Sequence, residues 1–167
     1  LPFAIATLSV TGDLNVGAML RTAHLMGARE GFVIGRRKID RRSLVGIQNY
    51  FEIHRLEGRN EDMMSINSER VKEIFTEYNL VPIVMEVGGT PLTEMKWREV
   101  FANSPGLPTV VAGNEGRGID DDTMKVLTDI PGAVRVAIPM RGVMRSFNVG
   151  HSLSIVMWDM VSKMGWM

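Results

Sequence analysis

The sequence contains no cysteine, which excludes a disulfide framework, a thiol nucleophile, and zinc or iron-sulfur sites built on cysteine. Its histidines, His24, His54 and His151, stand at no metal-ligand spacing, so no metal site is expected. No apolar run approaches the length of a membrane span, and the N-terminus lacks the basic-then-apolar pattern of a secretory signal. The chain therefore reads as cytoplasmic, without a membrane partner. It also has no excess of charge: 19 Lys and Arg balance 19 Asp and Glu, so no global positive field marks a nucleic-acid partner. Internal repeats and low-complexity segments are missing as well.

What is present is enough for one packed domain. A chain of 167 residues buries a sizeable core without metal or disulfide staples, so residues 1–167 are read as a single domain. Because the chain opens on Leu1 rather than Met, a short preceding stretch is expected. Charge is balanced globally but not locally. Arg36-Arg37-Lys38-Ile39-Asp40-Arg41-Arg42 places five cations in seven residues, enough to track a phosphate backbone on one face, although a solvated loop would have the same composition.

Apolar and polar spacing divides the chain into alternating strands and helices. Phe3–Val10, Gly31–Ile34, Phe51–Leu56, Leu80–Val87, Thr109–Ala112 and Val134–Ile138 read as strands. Pro82 favours the starting edge of its strand. From Asn15 to Met26 apolar residues recur at helical spacing, with Asn15 as N-cap and Gly27 as stop. Val71, Ile74, Phe75 and Tyr78 mark a second amphipathic helix, Thr93–Phe101 a short one, and Asp120-Asp121-Asp122 opens another with acids where the helix dipole favours them. Val149, Leu153, Val156, Met160 and Met164 give the last helix a broad Met-rich stripe, the pattern of core or subunit interface. The stretch 43–50 has no clear period, and Glu57–Asn67 reads as a polar connection. The fold class is α/β, a mostly parallel sheet covered on both faces.

In such a sheet ligands collect beyond the carboxyl ends of the strands. Three glycine-bearing loops fall there: Gly88-Gly89-Thr90-Pro91, Gly113-Asn-Glu-Gly-Arg-Gly118 and Pro139–Asn148. The second is neither a dinucleotide fingerprint, because its glycines are spaced Gly-x-x-Gly-x-Gly, nor a phosphate loop, because the Gly-Lys-Ser/Thr ending is missing. Glycines around Glu115 and Arg117 let backbone approach a flat ligand closely. In the third, Ser146 or Asn148 is placed to cap the following helix.

Asn15-Val-Gly-Ala-Met-Leu-Arg21-Thr-Ala, Gly113-Asn-Glu-Gly-Arg-Gly-Ile119 and Ile138-Pro-Met-Arg-Gly-Val-Met-Arg-Ser-Phe-Asn-Val149 resemble, in order, the three motifs of the SpoU (TrmH-type) RNA ribose 2'-O-methyltransferases of the SPOUT superfamily. The likeness spans nearly the whole chain. It implies a parallel sheet whose C-terminal part forms a deep trefoil knot, an exception to the usual rule against knots. It implies S-adenosylmethionine as cofactor, in a pocket lined by Met85, Val87, Gly113, Ile138, Met140, Ser146 and Phe147, with backbone groups of Gly113, Ile138 and Met140 against adenine or ribose. It further implies a homodimer joined through the last helix. Arg21, supplied by the neighbouring subunit, would be the catalytic arginine, with Asn15, Glu115, Ser146 and Asn148 positioning it and the target nucleotide. By analogy tRNA is favoured over rRNA as the RNA substrate. A non-catalytic knotted RNA-binding module, or an rRNA ribose methyltransferase, is the alternative.

The third motif departs from the family pattern Ser-Leu-Asn-Val-Ser. Phe147 replaces leucine, and Gly150-His151 follow Val149. Phe147 remains apolar, whereas Gly150 removes a small side chain expected to pack there. Arg141 and Arg145 add two cations beside the expected pocket mouth, suited to RNA phosphate.

Overall fold

The computed structural model describes residues 1–35, 38–60 and 65–167. Arg36 and Arg37 of the basic run, and residues 61–64 of the polar connection, lie outside the described residues. Among the described residues six strands form one parallel sheet: β1 (Ala4–Leu8), β2 (Glu30–Ile34), β3 (Glu52–Leu56), β4 (Leu80–Pro91), β5 (Leu107–Ala112) and β6 (Val134–Ala137), in the order β3-β2-β1-β5-β4-β6.

Alternate residues of β1, β2, β4 and β5 feed two different cores, as strands buried on both faces require. On one side Ile5, Val33, Ile83 and Val110 pack with α1 (Asp13–Leu25), α4 (Trp97–Ala102) and α6 (Val149–Met164). On the other, Ala6, Phe32, Val84 and Val111 pack with α3 (Ser68–Glu77) and α5 (Asp121–Thr128). The last helix is the one read from its stripe: Leu153, Val156, Met157, Met160 and Val161 are buried. Trp166 beyond it stacks on Phe3 at 6.3 Å and meets Phe101 edge-on at 4.9 Å.

Several boundaries differ from the sequence reading, each for a local reason. Asn15 does not cap α1; Gly12 stands at that position and the helix starts at Asp13, because the Asn15 side chain is engaged elsewhere. Gly27 does follow the end of the helix, after the C-cap Met26, at φ +80°. The stretch 43–50 resolves into α2 (Arg41–Leu44), capped by the Asp40 carboxylate, and a 3₁₀ turn over Ile47–Asn49. The Arg42 side chain turns back onto Asp40 at 2.6 Å and holds that carboxyl below its usual range. The expected helix over Thr93–Phe101 is split into a 3₁₀ turn at Leu92–Glu94 and α4.

β4 shows the largest departure. It does not end at Gly88-Gly89 but bulges there and resumes: Met85 and Thr90 both pair with Val136, and Pro91 pairs with Ala137. Gly88 takes φ +90°, and a Cβ on Gly89 would sit 2.8 Å from backbone atoms of Arg135 and Val136. A bulge this close to the neighbouring strand needs glycine at both places. Pro82 is not at the starting edge of the strand: it is the third residue of β4 and pairs with Thr109 inside the β4–β5 ladder, and it precedes only the β6 pairing, which begins at Ile83.

Candidate active site

β5 ends at Ala112 and delivers a closed loop. Asn114 and Gly118 exchange both backbone hydrogen bonds, at 3.0 and 2.9 Å. The Asn114 side chain accepts from the N–H of Gly116 (3.0 Å) and of Arg117 (3.1 Å), and donates to the Ser9 carbonyl at the end of β1 (2.9 Å). A Cβ on Gly113 would lie 2.6 Å from Ile119 Cγ1 and 2.8 Å from the Gly118 carbonyl carbon, so the loop folds back only with glycine there.

This loop holds Glu115 against the start of α1. Its carboxylate accepts from Thr11 N (3.0 Å), Thr11 Oγ1 (3.1 Å), Gly12 N (2.8 Å) and Asn15 Nδ2 (3.2 Å). Burial pushes the carboxyl pKa up. The N–H groups of Thr11, Gly12 and Glu115 itself, with the Asn15 amide, outweigh it and bring the value from 4.5 down to about 2. Glu115 is therefore ionised at neutral pH and occupied by donors that a helix start otherwise leaves open.

A depressed carboxyl pKa stabilises the folded chain above the unfolded value of 4.5, and that contribution is lost as pH falls toward about 2. Glu115→Gln is expected to be less stable at neutral pH and to lose less stability across that acid window. Urea unfolding from pH 7 to 2 checks this, and parallel pH profiles for the two proteins would remove the linkage.

Asn15 passes the connection on. Its Oδ1 accepts from Asn148 Nδ2 at 3.2 Å, while Asn148 Oδ1 caps α6 by accepting from Gly150 N (2.9 Å) and His151 N (3.3 Å). Gly150 is buried where α1 and α6 meet; a Cβ there would stand 3.2 Å from Asn148 Oδ1, 3.7 Å from Met19 Cγ and 3.9 Å from Asn15 Oδ1. The departure at Gly150 thus leaves space for the Asn15–Asn148 contact instead of merely deleting a packing group. His151 is exposed and enters only through its backbone.

Two adjoining cavities, of about 480 and 440 Å³, lie beside this chain of bonds. Met85, Val87, Ser146 and Phe147 line both, Ile138 and Met140 the first, and Gly113 the second. All seven residues expected around the cofactor therefore border one twin cavity, built from the β4 bulge, the loop after β5 and the run after β6. Val87 and Phe147 are left exposed as apolar walls, and nothing lies within 4 Å of where a Cβ on Gly88 would be. Open backbone between apolar walls fits a flat heterocycle, as in most small-molecule sites.

Arg21 is not brought there. It is exposed on α1, lines neither cavity, and makes no ion pair among the described residues. Sequence reasoning also missed Ser152, which lines both cavities and donates from Oγ to the Asn148 carbonyl at 3.1 Å. Its position one turn beyond Asn148 was the available signal. A second missed grouping lies at the amino ends of the strands. His54 Nε2 is 2.7 Å from Glu30 and 3.6 Å from Glu52, with its ring stacked on Phe32 at 4.6 Å. No histidine spacing announces it, because the register of β2 against β3 places Glu30 beside Glu52.

The model of the SpoU rRNA methylase family matches residues 2–158. The chain belongs to this family. Solved SpoU-type structures share its fold. AviRb of Streptomyces viridochromogenes, in complex with AdoMet, is 19% identical with a TM-score of 0.69 over 97% of this chain and 57% of its own. An AdoMet-bound rRNA methyltransferase of Sinorhizobium meliloti is 17% identical, TM-score 0.71, over 96% and 56%. A TrmH/SpoU tRNA-modifying enzyme of A. aeolicus is 17% identical, TM-score 0.68, over 98% and 76%. The chain thus spans little more than half the length of the first two. No curated protein sequence matches it. Among the described residues, no helix of this SpoU chain is long and apolar enough to cross a membrane.

Proposed function

We propose that the chain methylates a ribose 2'-hydroxyl of RNA with S-adenosylmethionine, tRNA being favoured over rRNA. The observation that carries this reading is the hydrogen-bonded line Glu115–Asn15–Asn148, which ties three motifs separated by 100 and 133 residues to the edge of the twin cavity. Family membership supports the chemistry, and the AdoMet in the AviRb and Sinorhizobium structures supports the cofactor.

The cofactor supplies a methyl group already activated by its positive sulfur. The chain's residues then have to exclude water, align the hydroxyl and stabilise charge developing on its oxygen. Met85, Val87, Ile138 and Phe147 form the apolar walls and Ser146 stands where the two cavities join; backbone groups of Gly113, Ile138 and Met140 would hold adenine or ribose. Arg21 clamps the target phosphate and steadies the nascent alkoxide as a permanent cation, since a guanidinium keeps its proton in proteins. Glu115, at a pKa of about 2, is too weak a base to take the 2'-hydroxyl proton, so its work is positioning.

An exposed Arg21 outside the cavity calls for a second copy, and we assign the active form as a homodimer. Leu14 (82% exposed) and Leu25 (73%) flank Arg21 on α1, and Trp158 (53%) stands out on α6, apolar surface suited to a subunit interface. The knot belongs to the same proposal: after β6, at the sheet edge beyond β4, the chain runs back to Asn15 past the β4 bulge and the Glu115 loop. Residues 1–167 act as one SPOUT domain in the cytoplasm.

Calorimetric titration with S-adenosylmethionine, followed by labelled methyl transfer to separated tRNA and rRNA fractions, tests the reading. Binding with label in tRNA is expected. RNA binding without cofactor binding would make the chain a non-catalytic module.

A further inference from the structure

A third cavity, of about 520 Å³, opens on the far side of the Asn114–Gly118 loop from the twin cavity. It lies beyond the carboxyl ends of β1 and β5. Those strands are neighbours, yet the chain winds away from them in opposite directions, through β2 and β3 on one side and β4 and β6 on the other. That divergence is a topological switch point, where parallel α/β sheets leave a crevice for ligands.

The backbone at its edge is unusual. Ser9, the residue after β1, takes φ +50°, a left-handed conformation uncommon for a side-chain-bearing residue. Its N–H donates to Ile34 O and its carbonyl accepts from Asn114, both at 2.9 Å, so the conformation is held from two sides. Its hydroxyl is buried and has no hydrogen-bond partner among the described residues, although Ser9 lines the cavity. A strained residue and an unsatisfied buried hydroxyl at one crevice mark it as more than a gap in packing.

The lining decides the class of ligand. Leu8 and Ile119 provide apolar surface, Asn60 and Asp122 offer an amide and a carboxylate, and Arg59 and Arg117 bring guanidinium groups. Arg59 is anchored through Nε to the Gly35 carbonyl. A bare anion would meet the Asp122 carboxylate and a purely apolar ligand would strand the charges. A nucleotide uses all of them: ring on the apolar surface, ring-edge groups to Asn60 and Asp122, phosphate to arginine. Arg117 borders both this cavity and the twin cavity, because the loop that carries it is the wall between them.

We propose that the cleft at the β1–β5 switch point holds an RNA nucleotide flanking the methylation target, and so selects the sequence around it. The inference rests on the methyltransferase reading. A nucleotide there would lie across the Asn114–Gly118 loop from the twin cavity, a neighbour of the target instead of the target itself, and it would brace the loop that positions Glu115.

The test uses a random-sequence 12-mer RNA carrying 4-thiouridine, the four nucleoside monophosphates, and the variants Asp122→Ala and Arg117→Ala. Asp122 is exposed in the first turn of α5, so its variant is expected to fold normally. Photocrosslinks in the unchanged protein should map to residues 59–60 or 117–123, and either variant should bind the 12-mer about tenfold more weakly. Asp122→Ala should keep its affinity for S-adenosylmethionine within about twofold. Crosslinks confined to residues 138–148, or unchanged 12-mer affinity in both variants, would overturn the proposal, as would a monophosphate that the 12-mer cannot displace. Cofactor binding and methyl transfer without cleft crosslinks would sink this inference alone. Cleft crosslinks without any cofactor binding would sink the methyltransferase reading and leave nucleotide binding at the cleft standing.

Discussion

Arg21→Ala is expected to lower methyl transfer by about a hundredfold to a thousandfold while leaving S-adenosylmethionine affinity unchanged. The reason is spatial: Arg21 is exposed on α1 and borders neither half of the twin cavity, so its loss removes a charge from the transition state without touching the cofactor walls. The same placement predicts complementation. Gly89→Val drives a side chain into backbone atoms of Arg135 and Val136 that stand 2.8 Å from the Cβ position, which should force β6 from β4 and abolish cofactor binding. Alone, Arg21→Ala should keep at most about a hundredth of the unchanged activity and Gly89→Val none. Mixed in equal amounts under conditions that exchange subunits, they should recover about a quarter of unchanged activity, since half the dimers are mixed and each mixed dimer has one intact site. No recovery would place Arg21 in its own subunit's site, and full transfer by Arg21→Ala would remove it from the mechanism.

Gly17→Ala is expected to produce the largest loss of stability from a single methyl group. A Cβ at Gly17 would lie 2.1 Å from the Ser43 carbonyl oxygen and 2.6 Å from its carbon, and both are backbone atoms of α2 that no rotamer change can move. Relief requires α1 and α2 to separate, at a cost of about 3 kcal/mol or more. Gly46→Ala is the control: it takes φ +84° with nothing within 4 Å of its Cβ position, so only the left-handed backbone penalty of about 1 kcal/mol applies. Urea midpoints at constant slope measure both. Equal losses would show that α1 and α2 are not in the contact described.

Gly17 also illustrates which parts of the molecule sequence could disclose. α6 was legible to the residue at both ends, because its apolar stripe repeats within one helix and Asn148 is a strong cap. The two-faced parallel sheet was legible from strand and helix alternation. What escaped depends on partners far along the chain. Asn15 looks like a cap until Glu115, 100 residues later, takes its amide. β4 looks finished at Gly88-Gly89 until β6 continues to pair beyond the bulge. The Thr11 and Gly12 amides that hold Glu115 carry no side-chain signature. The switch-point cleft joins residues near 9, 60 and 120, a convergence that strand order creates and local spacing does not.

The measurement closest to the centre of this proposal is mapping the product. The protein, methyl-labelled S-adenosylmethionine and total RNA are incubated, and label is traced to nuclease-resistant dinucleotides that report 2'-O-methylation. Label at a defined ribose, lost with Arg21→Ala, is the predicted result. Label on a base, or none from a protein that binds the cofactor, would contradict it.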